Sequence, residues 1–331
     1  MLLRAHRAKV LFVTIAIGAA AFAFACSDPA SGPHVVLLHP DGVVHDSLLS
    51  DQAVVGVSLS RSGAIALSQI FGNDIRIGSI TPFTFASTIG TEFAPVDVAL
   101  TQDGTTAFVA NFNSSTVSIV DVFAGTQTST LPVPSPLRTL LSPDGTRLYV
   151  TQLGSSSTSS VHVFDAGSHA LLDTISVGAL ANGIAFDSAR KRLYVSTQSD
   201  SSIYEINATT DAVIRRIPVG GVPQDIAVTP DHAELWVADS ASGVRVFNIA
   251  NGRLIASIPA LYGAFGLAIS PDGARVYVTM TTRASSAIVD RPERVVLSTL
   301  LTGPSPARVA FSASGSNAVI TDVTKGAYLI R

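Results

Sequence analysis

The chain has 331 residues, 47% of them hydrophobic and only 14% charged, a balance that excludes a disordered or coiled-coil protein. Its 25 glycines and 17 prolines are too few for a collagen-like or low-complexity chain. A formal net charge of −3 argues against a nucleic-acid partner, which requires a basic face.

The first segment reads as an export signal. Arg4, His6, Arg7 and Lys9 form a positive head, Val10–Ala25 is uncharged and mostly apolar, and Ala23-Phe24-Ala25 supplies the small residues of a cleavage site. Cys26 follows and is the only cysteine, so an intrachain disulfide, a thiolate metal cluster and a CxxC redox pair are excluded. The arrangement resembles a bacterial lipoprotein signal peptide, in which the cysteine after the cut is acylated. It departs from that pattern three residues before the cysteine, where Ala23 stands in place of the usual Leu. The resemblance implies loss of residues 1–25, a lipidated Cys26 and a periplasmic or cell-surface lipoprotein. A plain secretory cut and an uncleaved anchor are the alternatives, although the apolar run is short of the ~20 residues that span a bilayer. Residues 26–33 then read as a flexible tether. Without residues 1–25 the chain loses three basic residues and no acid, which moves the net charge to −6. The polybasic clusters that bind anionic lipid are missing, so membrane contact is expected only through the lipid anchor.

The rest of the chain, residues 34–331, is a repeat. Leu148-Tyr149-Val150, Leu193-Tyr194-Val195, Leu235-Trp236-Val237 and Val276-Tyr277-Val278 are alike, Ala107-Phe108-Val109 matches them, and Ala66-Leu67-Ser68 and Ala318-Val319-Ile320 match more weakly. Their spacings are 41, 41, 45, 42, 41 and 42 residues, so seven copies are present. A turn precedes each, as in Ser142-Pro143-Asp144-Gly145 and Ser270-Pro271-Asp272-Gly273; the copies at Asp187-Ser188-Ala189-Arg190 and Thr229-Pro230-Asp231-His232 lack the glycine. One aspartate per turn is what folding alone requires. The fifth copy divides into strands A (Asp225–Thr229), B (Glu234–Asp239), C (Gly243–Asn248) and D (Leu254–Pro259). Four short strands, seven times over, predict an all-β, seven-bladed β-propeller with four antiparallel strands per blade.

The segments Pro136–Thr151 and Pro223–Ala238 carry a proline, an apolar strand, a Pro-Asp turn and the Leu-Tyr-Val-Thr or Leu-Trp-Val-Ala run. They resemble the YVTN-repeat, or YncE-like, β-propellers over roughly residues 42–331. The resemblance implies the fold and brings no shared catalytic motif. The seventh copy ends after strand C (Gly326–Ile330), and Val43–Leu49 has the register of the missing strand D. An N-terminal strand is therefore expected to close the ring in the last blade. His34–His39 looks like a further strand that competes with Gly326–Ile330 or adds to its edge.

Strand A lines the channel of a propeller. Its third position reads Gly56, Asp97, Arg138, Gly183, Asp225, Gly266 and Arg308. Four charges there are unexpected in so charge-poor a chain. Asp97, Arg138, Asp225 and Arg308 form either a site for a small anionic ligand or a solvated ring of compensating ion pairs. Arg308 is expected to be the least compensated. Asn111, Gln152, Thr197, Asp239, Met280 and Asp322, just after strand B, form a mixed set that strand ends explain. The recurring aromatics are expected to pack between blades, and His162 and His169 to be exposed. The histidines show no metal-binding spacing, and no G-x-S-x-G elbow, Walker loop or dinucleotide fingerprint is present. No catalytic residue, cofactor or metal is assigned.

Two functions remain open. One is a non-catalytic binding scaffold, monomeric and lipid-tethered, that presents propeller loops to a protein, glycan or small-molecule partner. The other is an enzyme role, since propellers of similar repeats include sugar-lactone hydrolases and subunits of periplasmic oxidoreductases. A lactonase needs an acid–base constellation, and of the four glutamates (Glu92, Glu205, Glu234, Glu293) none lies on strand A; Glu92 is the candidate base. The anchor has a direct test. Cys26→Ser is expected to move the protein from the membrane fraction to the soluble exported fraction with its fold unchanged. Membrane fractionation equal to wild type would overturn the lipoprotein reading.

Overall fold

The computed structural model describes residues 44–48, 53–154 and 158–331, and only the backbone of 44–48. The signal segment, Cys26, the tether, His34–His39 and part of the Gly154–Ser160 loop lie outside the described residues. The described chain forms seven four-stranded antiparallel sheets. In blade 5 the strands are Pro223–Val228, Glu234–Asp239, Gly243–Asn248 and Leu254–Ile258. Strand A thus starts two residues before the expected Asp225. Strand D stops before Pro259, which opens a short 3₁₀ turn, Pro259–Leu261. The seven A strands are Val54–Leu59, Pro95–Leu100, Pro136–Leu141, Ala181–Asp187, Pro223–Val228, Ala264–Ile269 and Pro306–Phe311. They start on what is here called the upper face, with the B–C and D–A loops. The A–B and C–D turns make the lower face.

Strand B explains why the blades stay together. Its successive side chains point to opposite faces of the sheet, and both faces are covered by neighbours. Tyr149 packs into blade 4 against Ile184, Leu193 and Val195. Its flanking residues Leu148 and Val150 pack the other way, against Phe108 and Val117 of blade 2. Trp236 likewise enters blade 6 among Leu267, Val276 and Val278. Burial on both sides requires three consecutive apolar residues, which is the recurring tripeptide. Phe108, Tyr149, Tyr194 and Trp236 are at most 1% exposed, so these aromatics are core.

The A–B turns use their aspartates internally. The Asp144 carboxylate accepts from Ser142 Oγ at 2.5 Å and from the Thr146 amide at 3.1 Å. Those bonds, the Ser142 one foremost, hold its pKa down at about 2. Gly145 sits at a φ of 73°. The two turns without glycine place a non-glycine residue in the left-handed region instead, Lys191 at 51° and His232 at 57°.

The inner edge has its own device. Each A strand breaks register at its second or third residue, as between Pro95 and Asp97 or Ala181 and Ile184. Such a bulge takes the third residue's N–H out of the ladder. A hydroxyl on strand B accepts it in five blades: Ser68 from Gly56, Thr151 from Arg138, Ser196 from Gly183, Thr279 from Gly266 and Thr321 from Arg308. Four of these hydroxyls donate onward to the next blade. Thr151 reaches the Asn182 carbonyl, Ser196 that of Gln224 and Thr279 that of Ala307. Thr321 of blade 7 reaches the Val55 carbonyl of blade 1 at 2.7 Å, across the seam of the ring.

The outer edge is bulged as well. In blades 1 to 6 the C–D pairing shifts at one equivalent place, for example between Val163 and Phe164 and between Val246 and Phe247. In the seventh sheet Val44–Leu48 is the outermost strand, antiparallel to Gly326–Ile330, with its own shift between His45 and Ser47. How far this strand holds the ring shut is open to truncation. Deleting residues 27–50 is expected to lower the Tm by at least ~4 °C more than deleting residues 27–33, because it removes a whole edge strand. Equal melting temperatures would sink the idea that closure depends on it.

Candidate functional site

The A-strand bulges set the third residues around the upper mouth of the channel. Asp97, Arg138, Asp225 and Arg308 meet there. Arg138 Nη1 lies 3.6 Å from Asp97 and its Nη2 3.4 Å from Asp225. Arg308 Nη1 lies 3.3 Å from the other oxygen of Asp225, and its Nη2 lies 3.5 Å from Asn182 Oδ1. The first contact joins adjacent blades 3 and 2, whereas the other three join blades that are not neighbours, 3 to 5, 7 to 5 and 7 to 4, so these side chains reach across the channel. The Arg308 guanidinium also sits over the Phe265 ring, 5.0 Å from its centre.

The glycines at the same position have a steric cause. A Cβ on Gly56 would stand 2.6 Å from Asp97 Cα, one on Gly183 2.7 Å from Asp225 Cα, and one on Gly266 2.2 Å from the Ala307 carbonyl oxygen. The aspartates have a structural duty too. Blades 2 and 5 carry Ala110 and Ala238 where the other blades have the bridging hydroxyl. In those two blades the carboxylate spans the gap: Asp97 accepts from the Thr139 amide at 2.8 Å, and Asp225 from the Leu267 amide at 3.5 Å.

The ring is buried. Asp97 and Asp225 are 4% exposed and Arg308 6%. The expectation of a solvated ring therefore fails; Arg308, which shares Asp225 with Arg138, is the less compensated of the two bases. Burial opposes the Arg138 charge, but the Asp97 and Asp225 carboxylates outweigh it and hold the pKa above its usual value. Arg308 is pulled down to about 10 by burial first and then by the Arg138 charge, against the attraction of Asp225 and Asp97. Both guanidinium groups remain charged at neutral pH. Each leaves its buried Nε–H without an acceptor.

Sequence reading missed three residues of this mouth. Asn182, Gln224 and Phe265 occupy the second position of strand A, which elsewhere holds Val55, Val96, Leu137 and Ala307. Asn182 Nδ2 donates to Gln224 Oε1 at 2.9 Å, and Gln224 Nε2 donates to Ser240 Oγ at 3.1 Å. Two polar residues in an otherwise apolar column were the available signal.

The remaining candidates have local roles. Asp239 and Asp322 end strand B and accept backbone amides of the adjoining loops, from Val222 and Ala241 and from Ser305 and Thr324. Glu92 accepts from Gln127 Nε2 at 3.2 Å. His162 is half-buried rather than exposed, 3.0 Å from Gln152 Oε1, and burial lowers its pKa. His169 is likewise half-buried, 6.1 Å from Phe108 between ring centres. Among the described residues no group of three His, Cys, Asp or Glu side chains is placed to hold a metal ion.

The molecule is thus a seven-bladed propeller whose channel mouth is crossed by a buried ion network. The YNCE-like beta-propeller family model matches residues 40–323, and the chain belongs to that family. No curated protein matches the chain. Among solved structures, a chain of Kuenenia stuttgartiensis Hydrazine Synthase is similar, with a TM-score of 0.76 and 18% identity over 84% of this chain and 95% of that one. At that identity the likeness is one of fold.

Asp225 is the hinge of the network, since it neutralises two buried cations. Asp225→Ala is expected to destabilise the protein by about 3–5 kcal/mol in chemical denaturation, the cost of unpairing a buried charge. Gly183→Ala is expected to destabilise too, by steric push on the Asp225 backbone. A change below ~1 kcal/mol in Asp225→Ala would mean that the network is solvated after all.

Proposed function

We propose that the protein is a non-catalytic, exported scaffold that binds a carboxylate- or phosphate-bearing ligand, free or on a partner, at the upper mouth of its channel. The observation that carries this reading is the pair of guanidinium groups at the mouth, Arg138 and Arg308, whose contacts with Asp97 and Asp225 are 3.3–3.6 Å long, against the ~2.7–2.9 Å of a well-formed pair. An incoming carboxylate or phosphate oxygen competes for donors held so loosely. The aspartates are committed to clipping neighbouring blades, so the arginines supply the recognition. Asn182, Gln224 and Phe265 complete a polar and aromatic surround. Export and tethering through Cys26 belong to the same reading and rest on the N-terminal segment.

The likeness to a chain of hydrazine synthase favours a second reading, an accessory component of an oxidoreductase assembly. Mass spectrometry of whatever co-purifies with the native protein separates the two.

The mouth is tested by thermal shift with acetate, succinate, citrate and inorganic phosphate as probes. At least one is expected to raise the Tm of the wild type. Arg308→Lys is expected to weaken that probe about tenfold or more, because an ammonium lacks the planar fork. If none of the probes shifts the Tm, or Arg308→Lys binds as wild type, the mouth is structural.

A further inference from the structure

Thirteen large apolar side chains are well exposed among the described residues, and nine of them lie at one place in the repeat, the C–D turn and the start of strand D. In blades 3 to 6 strand D opens with an adjacent pair, beginning at Leu171, Val213, Leu254 and Val295, with every member at least 37% exposed. The spacings are 42, 41 and 41 residues. Phe123, 98% exposed, stands on the C–D turn of blade 2. Neighbours on a regular strand face opposite ways. In blades 3 to 5 the second member of the pair is the residue skipped by the strand-D bulge, which frees both side chains to face outward.

We propose that this lower rim is a docking surface for a lipid bilayer of neutral headgroups. Residues related by a rotational repeat lie at one height, so the five blades can touch a flat surface together. A globular partner would meet one or two of them. The chain also arrives on this side. Val44 pairs with Ile330 in the register that Leu171 has with Phe164, so Val44 itself stands at the same rim. The 17 residues between Cys26 and Val44 reach at most roughly 60 Å when extended. The proposal rests on the export reading for its setting, not on acylation of Cys26. Sequence analysis allowed membrane contact through the anchor alone; the rim adds a second contact.

Headgroup preference follows from the turns inside the rim. Arg61, Arg190, Lys191 and Arg253 are exposed on the lower face, and so are Asp103, Asp144, Asp231 and Asp272. Bonds from neighbouring Ser or Thr hydroxyls hold each of the four carboxyls below the usual range, so all four are ionised. The two signs balance, so the lower face offers an anionic surface no net attraction, and the apolar rim supplies the binding.

The test is co-flotation of the exported Cys26→Ser protein with vesicles. Binding to phosphatidylcholine is expected, insensitive to salt, and no stronger when about a third of the lipid is phosphatidylglycerol. A variant carrying Leu171→Ser, Leu172→Ser, Val213→Ser and Ile214→Ser is expected to lose about tenfold or more in partitioning with its Tm unchanged. A second variant with the Leu254 and Ile255 pair changed to Ser is expected to lose binding as well, and it covers the case in which the first misfolds. Absence of flotation, or equal flotation of folded variants, overturns the proposal. So does a concentration-dependent dimer that the variants abolish, which would assign the rim to a second copy. Cellular fractionation of Cys26→Ser reports on the anchor and flotation on the rim, so each can fail alone.

Discussion

The hydrogen bond that passes from one blade to the next at the A-strand bulge is the constraint on which the rest of this propeller depends. The bulge takes a backbone N–H out of the ladder where seven strands converge, and that donor needs another acceptor. A Ser or Thr hydroxyl is both acceptor and donor. It closes the gap in its own blade and reaches the carbonyl of the next, as Thr321 does toward Val55. Where alanine replaces the hydroxyl, at Ala110 and Ala238, an aspartate on the bulge takes over the bridge. The side chains of the channel are therefore selected first by the need to join blades.

That origin shapes the chemistry of the mouth. Two carboxylates placed for structural reasons would be costly alone in a buried ring. Arg138 and Arg308 offset them, and the sharing of Asp225 between both arginines ties blades 3, 5 and 7 together. The resulting ion pairs are 3.3–3.6 Å long, more open than the ~2.7–2.9 Å of a well-formed guanidinium–carboxylate bond. The acids thus serve the fold first, and the two bases are the residues on which the proposed recognition rests.

Fold and site differ in how far they could be read from the chain. Each blade performs the same local task, so its solution recurs every 41 to 45 residues and the tripeptide, the turn and the strand lengths are visible. In blade 5, strands B and C agree with sequence reading to the residue. The third-position charges were visible for the same reason. Their pairing was not, because Arg308 meets Asp225 across 83 residues and Asn182 across 126, distances set by ring geometry and not by any periodic pattern. Burial was hidden as well: an arginine at 6% exposure looks no different in sequence from one in solvent.

The strand-D bulge carries a consequence for crowding. Every blade ends in a strand whose outer backbone groups are unpaired, and seven such edges on one molecule would make an efficient template for polymerisation. The shift of register bends each edge and interrupts the row of donors and acceptors that a second sheet would need. Molecules concentrated side by side can then approach rim to rim with little to zip their sheets together.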